Sequence, residues 1–285
     1  MKFAVRILSA CLVFVMAISL FGCQKQADGD PTQNEISAEK QINEVTGLKD
    51  KPVILFMGDS ITDGGRTDYK DKTFLGFNHP KIVAQMLQQK FRKEEFTFYS
   101  TGVSGDTVLD QYFRLQEDCF DLKPDYIVML LGINDCWMGG YKDKETFAKS
   151  YRLLLNTMIA NTDAKIILIQ PYLLPADEAM QADCVIANVN SYKPTAIDIA
   201  DVVCTMAAEF NLDIIYLAEI LEQQHQKGTS YRELSWDAIH PTTLTSAILA
   251  EQIIMKLGVK DFTPAFGTFD TSEIEAKYNN KEETQ

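Results

Sequence analysis

The sequence predicts a three-layer α/β/α fold, doubly wound around a sheet of five parallel strands. Three observations lead there. Short, nearly continuous apolar runs recur along the chain, segments with helical spacing separate them, and the stretch holding both is about 210 residues long between polar ends. Runs without polar alternation suit strands buried on both faces, as in a parallel sheet covered by helices. Strands alternating with helices imply right-handed crossovers, and the length suits one α/β domain. The expected strand order is flavodoxin-like, with the ligand site at the carboxyl ends of the strands.

The elements follow in order. Pro52 to Met57 is the first strand, ended by Gly58, and Lys81 to Phe91 is a helix with Ile82, Val83, Met86 and Leu87 on one face. Phe96 to Tyr99 is the second strand and Thr107 to Gln116 the second helix. Tyr126 to Leu131 is the third strand, followed by a helix from Thr146 to Ile159 and a strand from Lys165 to Ile169. A helix from Thr195 to Phe210, a strand from Asp213 to Tyr216 and a closing helix from Thr242 to Leu257 complete the pattern. There are no internal repeats.

The ends read differently. Lys2 and Arg6 precede an apolar run from Ile7 to Phe21, which is 15 residues and too short for a membrane span. It closes on Leu20-Phe21-Gly22-Cys23, which resembles a bacterial lipobox, so residues 1–22 are expected to be a lipoprotein signal peptide and Cys23 the acylated anchor. The polar stretch of residues 23–50 reads as a flexible tether, residues 51–260 as the domain and residues 261–285 as a polar tail. The expected location is outside the cytoplasm, membrane-anchored, on the cell surface or in the periplasm.

Formal charge is −13, and without Lys2 and Arg6 it is −15. Such a surface repels phosphate backbones, so nucleic acid is not an expected partner. Of six cysteines, Cys119, Cys136, Cys184 and Cys204 fall in the domain, with spacings that match no metal site and no dense disulfide framework. Nothing in the pattern calls for a metal or an organic cofactor.

Four strand ends carry residues with chemistry. After the first strand stands Gly58-Asp59-Ser60-Ile61-Thr62. A glycine permits the tight turn, and a helical start offers Ser60 as a nucleophile beside a free backbone N–H, although Asp and Ser also serve simply as helix caps. After the second strand, Gly102-Val103-Ser104-Gly105-Asp106 allows close backbone approach, and the Gly105 N–H can face the site. After the third, Gly132-Ile133-Asn134-Asp135 offers a neutral amide able to donate to a developing oxyanion, or a turn. Before the closing helix, Asp237-Ala238-Ile239-His240-Pro241 puts an acid three residues before a histidine, close enough to fix its tautomer and leave Nε2 as a base. Of the other two histidines, His225 lies in a polar stretch and reads as a solvated helix residue, and His79 precedes Pro80 at a helix start, where it caps or packs.

Together these segments resemble the SGNH, or GDSL-type, serine hydrolases, whose four marker residues fall on Ser60, Gly105, Asn134 and His240, with Asp237 matching the acid. The resemblance spans Val53 to Leu257. It implies a Ser60–His240–Asp237 triad and an oxyanion hole from the N–H groups of Ser60 and Gly105 and the Asn134 amide. A narrower resemblance links Gly58 to Asp63, Gly102 to Asp106 and Leu131 to Trp137 with bacterial GDSL esterases that include acetylxylan esterases. It implies a short-chain esterase acting on acetylated glycan. Asp59, Trp137 and Trp236 are candidates for the substrate pocket, the two indoles for stacking on a sugar or for plain packing. The alternatives are a lysophospholipase or thioesterase acting on lipid esters, and an inactive carbohydrate-binding lipoprotein on the same fold.

Overall fold

The five apolar runs make the sheet. In the computed structural model, which describes residues 40–279, β1 (Val53–Gly58), β2 (Thr97–Ser100), β3 (Tyr126–Leu130), β4 (Lys165–Ile169) and β5 (Asp213–Ile215) are all parallel. Their order is β2-β1-β3-β4-β5, the flavodoxin-like order expected from the pattern. Leu55 lies opposite Ile127, and Ile127 opposite Ile166, so the three central strands share one buried level. The expected signal peptide, the expected anchor Cys23 and the expected tether up to residue 39 lie outside the described residues.

Eleven α-helices are described: α1 (Ser60–Asp63), α2 (His79–Lys90), α3 (Val108–Phe113), α4 (Leu115–Asp118), α5 (Lys144–Asn161), α6 (Glu178–Asp183), α7 (Lys193–Glu209), α8 (Leu217–Gln226), α9 (Tyr231–Leu234), α10 (Thr243–Leu257) and α11 (Ser272–Asn279). Successive strand side chains point to opposite faces, and the core divides accordingly. Phe56, Val128 and Leu130 share one cluster with Val83 and Leu87 of α2 and with Ile248 and Ile253 of α10. Met57, Ile127 and Met129 share the other with Tyr151 and Leu154 of α5 and Val203 of α7. On α5 the buried residues Phe147, Tyr151, Leu154, Leu155 and Met158 recur at helical spacing, which is why that segment folds as a helix against the sheet.

The helix expected from Thr107 to Gln116 breaks at Arg114 into α3 and α4. Thr107 and Asp110 form a capping box at its start. At the junction the Arg114 guanidinium pairs with Asp106 and, at 2.8 Å, with Asp118.

Two boundaries change. The expected tether does not run to residue 50, because residues 40–50 fold onto the domain. Leu48 is fully buried, Ile42 and Lys49 form an antiparallel bridge, and Lys40 pairs with Asp125 at 2.6 Å. Its polar side chains serve the turn itself: Asn43 Oδ1 accepts the amides of Val45 and Thr46, and Thr46 Oγ1 accepts that of Leu48. The expected polar tail also packs, so residue 260 is not the end of the folded body. Glu251 accepts the amides of Ala265 and Phe266 at 2.8 and 2.9 Å. On α11, Tyr278 is buried, stacks on Tyr216 and donates to Asp201 at 2.7 Å. No helix among the described residues is long and apolar enough to cross a membrane.

Candidate active site

The turn after β1 presents Ser60. A Cβ on Gly58 would collide with the Leu130 carbonyl and the Thr62 side chain, so only glycine lets β1 and β3 close up beneath the turn. Asp59 caps α1 by accepting the Ile61 amide at 2.9 Å, which leaves Ser60 as the first helical residue. The sequence suggests Asp59 as a pocket residue, and the structure corrects this. Its side chain turns back onto the helix and is fully buried, so it does not line a substrate pocket.

The loop from Ser235 to Pro241 delivers the histidine. Its ends are joined by an antiparallel bridge between Ser235 and Pro241, and Ser235 Oγ donates to the His240 carbonyl at 2.6 Å. Asp237 is fully buried. Its Oδ1 accepts the amides of Ile239 and His240 at 3.0 and 2.7 Å, and its Oδ2 sits 2.7 Å from His240 Nδ1. A carboxylate only accepts, so Nδ1 carries the proton and Nε2 is left free. Nε2 lies 2.8 Å from Ser60 Oγ, across 180 residues of sequence.

Burial works against the Asp237 carboxylate, but the hydrogen bonds from the His240 ring and backbone outweigh it and hold its pKa below the usual value. Asp59 is pushed the other way. Burial raises it to about 7 against the Ile61 hydrogen bond. Burial likewise raises Asp135, which accepts the Val108 amide at 3.2 Å, to about 7.

Two further strand ends, after β2 and β3, carry Gly105 and Asn134. Gly105 has φ +90, a conformation that favours glycine although the space beside it is open. The Ser60 and Gly105 amides have no protein acceptor among the described residues. Asn134 Nδ2 donates one hydrogen to the Asp106 carbonyl at 3.1 Å, and its second hydrogen is left over.

A buried network missed by sequence reasoning holds these loops together. Arg66 donates to the carbonyls of Ser100 and Gly102 and pairs with Asp63, and Ser104 Oγ donates to Asp63 at 2.7 Å. The turn that carries Ser60 is thereby tied to the loop that carries Gly105. Asp106 accepts from Gln111 at 2.6 Å and from Arg114. One local signal existed: a short acid–arginine spacing directly after the serine motif.

The remaining candidates separate. Trp137 is half-buried, packs edge-on against Tyr192 and joins the core. Trp236 is 45% exposed and stacks on the His240 ring. His79 packs against Phe56, and burial pushes it down to about 3, so it is neutral. His225 stacks on Tyr231, and its Nδ1 bonds the Thr229 carbonyl at 2.9 Å, so it is a part-buried structural residue rather than a solvated one. Cys119, Cys136, Cys184 and Cys204 are free thiols. Among the described residues no three metal-binding side chains cluster to hold an ion.

Comparison with known proteins identifies the family. Residues 54–253 match the model of the GDSL-like lipase/acylhydrolase family. The chain belongs to this family. It is a serine ester hydrolase with an α/β fold. The acetylxylan esterase of Geobacillus stearothermophilus is 29% identical over 220 residues, covering 72% of this chain and 93% of that one. The crystal structure of Axe2, an acetylxylan esterase from the same organism, has a TM-score of 0.62 at 25% identity, over 74% of this chain and 96% of that chain. LAE5, an alpha/beta hydrolase from the Lake Arreo metagenome, shares the fold, with a TM-score of 0.61 at 23% identity over 73% and 96% of the two chains. An uncharacterized lipoprotein of Bacillus subtilis, YqeF, is 29% identical over 83 residues, 29% of this chain and 31% of that one.

Proposed function

We propose that this GDSL-family esterase removes acetyl groups from carbohydrate through an acyl-enzyme on Ser60. The observation that carries the reading is the unbroken line from Asp237 through His240 to Ser60 Oγ, at 2.7 and 2.8 Å. His240 Nε2 takes the Ser60 proton as Oγ attacks the ester carbonyl, and Asp237 stabilises the imidazolium that forms. The carbonyl oxygen becomes an oxyanion that accepts from the Ser60 and Gly105 amides and from the free hydrogen of the Asn134 amide. Collapse expels the sugar alkoxide, which takes the proton from His240. Water, deprotonated by His240, then attacks the acyl carbon, and acetate leaves as Ser60 regains its proton.

The acetylated-glycan substrate is supported by the likeness to the Geobacillus esterase along 93% of its length. Structures of Axe2 include catalytic mutants in which a serine and a histidine are replaced by alanine, in keeping with a Ser–His pair. The exposed Trp236 indole beside His240 offers a flat apolar surface at the reaction centre. We further propose that the chain is exported and anchored through Cys23, a reading supported by the lipobox-like sequence and the partial likeness to YqeF.

Acetate release from a panel of acetylated xylo-oligosaccharides, other acetylated sugars and nitrophenyl esters of rising chain length tests the substrate. The expected result is turnover of acetylated sugars and a steep loss beyond short acyl chains. Preference for long chains would overturn it in favour of a lipid-ester hydrolase.

A further inference from the structure

We propose that Trp236 is a positioning residue of this esterase, its indole lying on the His240 imidazole to hold that ring in line and to stabilise the imidazolium formed at each proton transfer. The ring centroids are 5.2 Å apart and the planes 14° from parallel. The proposal rests on the Ser60–His240–Asp237 reading and adds a role that none of those three residues fills.

Packing argues that the indole is not in the loop to complete the core. Its neighbours Ser235, Asp237, Ala238 and Ile239 are all buried, whereas Trp236 is 45% exposed and belongs to neither core cluster. The other tryptophan, Trp137, does pack against the core. Nor does the loop need the indole to keep its path. The Ser235–Pro241 bridge, the bond from Ser235 Oγ to the His240 carbonyl and the Leu174 amide donating to the Ala238 carbonyl at 3.0 Å fix the backbone independently. Ala238, at φ +77, completes the tight turn between Trp236 and His240. The contact that depends on Trp236 is therefore the one with the imidazole.

That contact has two consequences. Hydrogen bonds at Nδ1 and Nε2 fix the ring along one axis and leave tilting about that axis free, and a flat neighbour on one face opposes the tilt. The indole face also carries negative charge density, and tryptophan attracts a cation over its ring more strongly than any other side chain within about 6 Å. Acting as the base, the imidazole becomes cationic in both acylation and deacylation. The attraction is thus larger along the reaction than before it, and this difference is what raises turnover.

A sugar platform at Trp236 and a ring that positions His240 make different predictions on a substrate with no sugar. Full-length wild type, Trp236→Phe, Trp236→Leu and Ser60→Ala are compared on p-nitrophenyl acetate, with kcat and KM determined separately and melting temperatures measured. Trp236→Leu is expected to lower kcat about three- to thirtyfold with KM unchanged, and Trp236→Phe to recover most of the loss. Leucine keeps apolar bulk but has no π face, so recovery by phenylalanine separates the electrostatic role from loss of packing. Wild-type kcat in Trp236→Leu, or a defect confined to KM on acetylated oligosaccharides, would overturn the proposal. Undiminished hydrolysis by Ser60→Ala would instead overturn the nucleophile assignment on which it stands, so the two failures are distinct.

Discussion

Asn134 donates its side-chain amide to the backbone carbonyl of Asp106 at 3.1 Å, joining the segments that follow β3 and β2. One hydrogen of that amide fixes its plane, and the other is left for the site. In the proposed mechanism this bond is what keeps a neutral side chain on a short 3-10 turn, Ile133 to Cys136, in place as an oxyanion donor. Asn134→Ala is expected to lower kcat about 10²- to 10³-fold on a nitrophenyl acetate with little change in KM. A drop below about tenfold would remove Asn134 from the oxyanion hole.

Asp237 spends its acceptor capacity on one loop: two amides on Oδ1 and the His240 ring on Oδ2. Asp237→Asn keeps the shape but can present a donor to Nδ1, which favours the wrong tautomer. An activity loss of about 10³- to 10⁴-fold is expected in steady-state kinetics, by analogy with triad aspartates in general.

The buried Arg66 predicts a stability effect away from the chemistry. With side-chain exposures of 1% and 3%, Arg66 and Asp63 form an ion pair shielded from water. Arg66→Met leaves the Asp63 carboxylate buried without its cation, at a cost of about 3–5 kcal/mol. Thermal unfolding should show a fall of roughly 10 °C. Adding Asp63→Ala should return part of that loss, because the orphaned charge is then gone.

Asp59 predicts a pH dependence. Its folded pKa, about 7, lies above the ordinary value of 3.8, so the folded protein holds more protons than the unfolded chain between those values. Stability contributed by the protonated carboxyl is complete below about 4 and lost as pH rises to 7. Asp59→Asn keeps the cap acceptor and has no charge to bury. Its melting temperature relative to wild type should therefore rise between about pH 4 and pH 8, by at least about 2 °C. A constant difference across that range would contradict the account. Asp237 titrates with the opposite sign, its contribution being lost on acidification, but it is common to both proteins and cancels.

The central strands were legible because burial on both faces forces an almost purely apolar run, and Tyr126 to Leu130 or Lys165 to Ile169 can be little else. Three parts of the candidate site follow β1, β2 and β3 directly, where a parallel sheet gathers its loops, whereas Asp237 and His240 lie beyond α9 in the loop before α10 and were picked out by their spacing. What escaped depends on partners distant in sequence. Arg66 looks like any surface cation until Ser100 and Gly102 are folded over it. Residues 40–50 read as a tether because one buried apolar side chain, Leu48, gives no periodicity. The tail read as polar because Tyr278 is a single anchor whose partners, Tyr216 and Asp201, lie on other elements. Trp236 is the reverse case. Its place beside Asp237 was visible, but its packing on His240 was not, since both lie in an irregular loop.

The central claim is that Ser60 Oγ, activated by His240 and Asp237, is the nucleophile. The most direct test is reaction of the active protein with a fluorophosphonate, followed by mass spectrometry of the intact chain and its peptides. One adduct per chain on the peptide containing Ser60, formed in step with loss of esterase activity and absent from Ser60→Ala, is the expected result. Full inactivation with the adduct on another residue, or undiminished activity with Ser60 labelled, would contradict it.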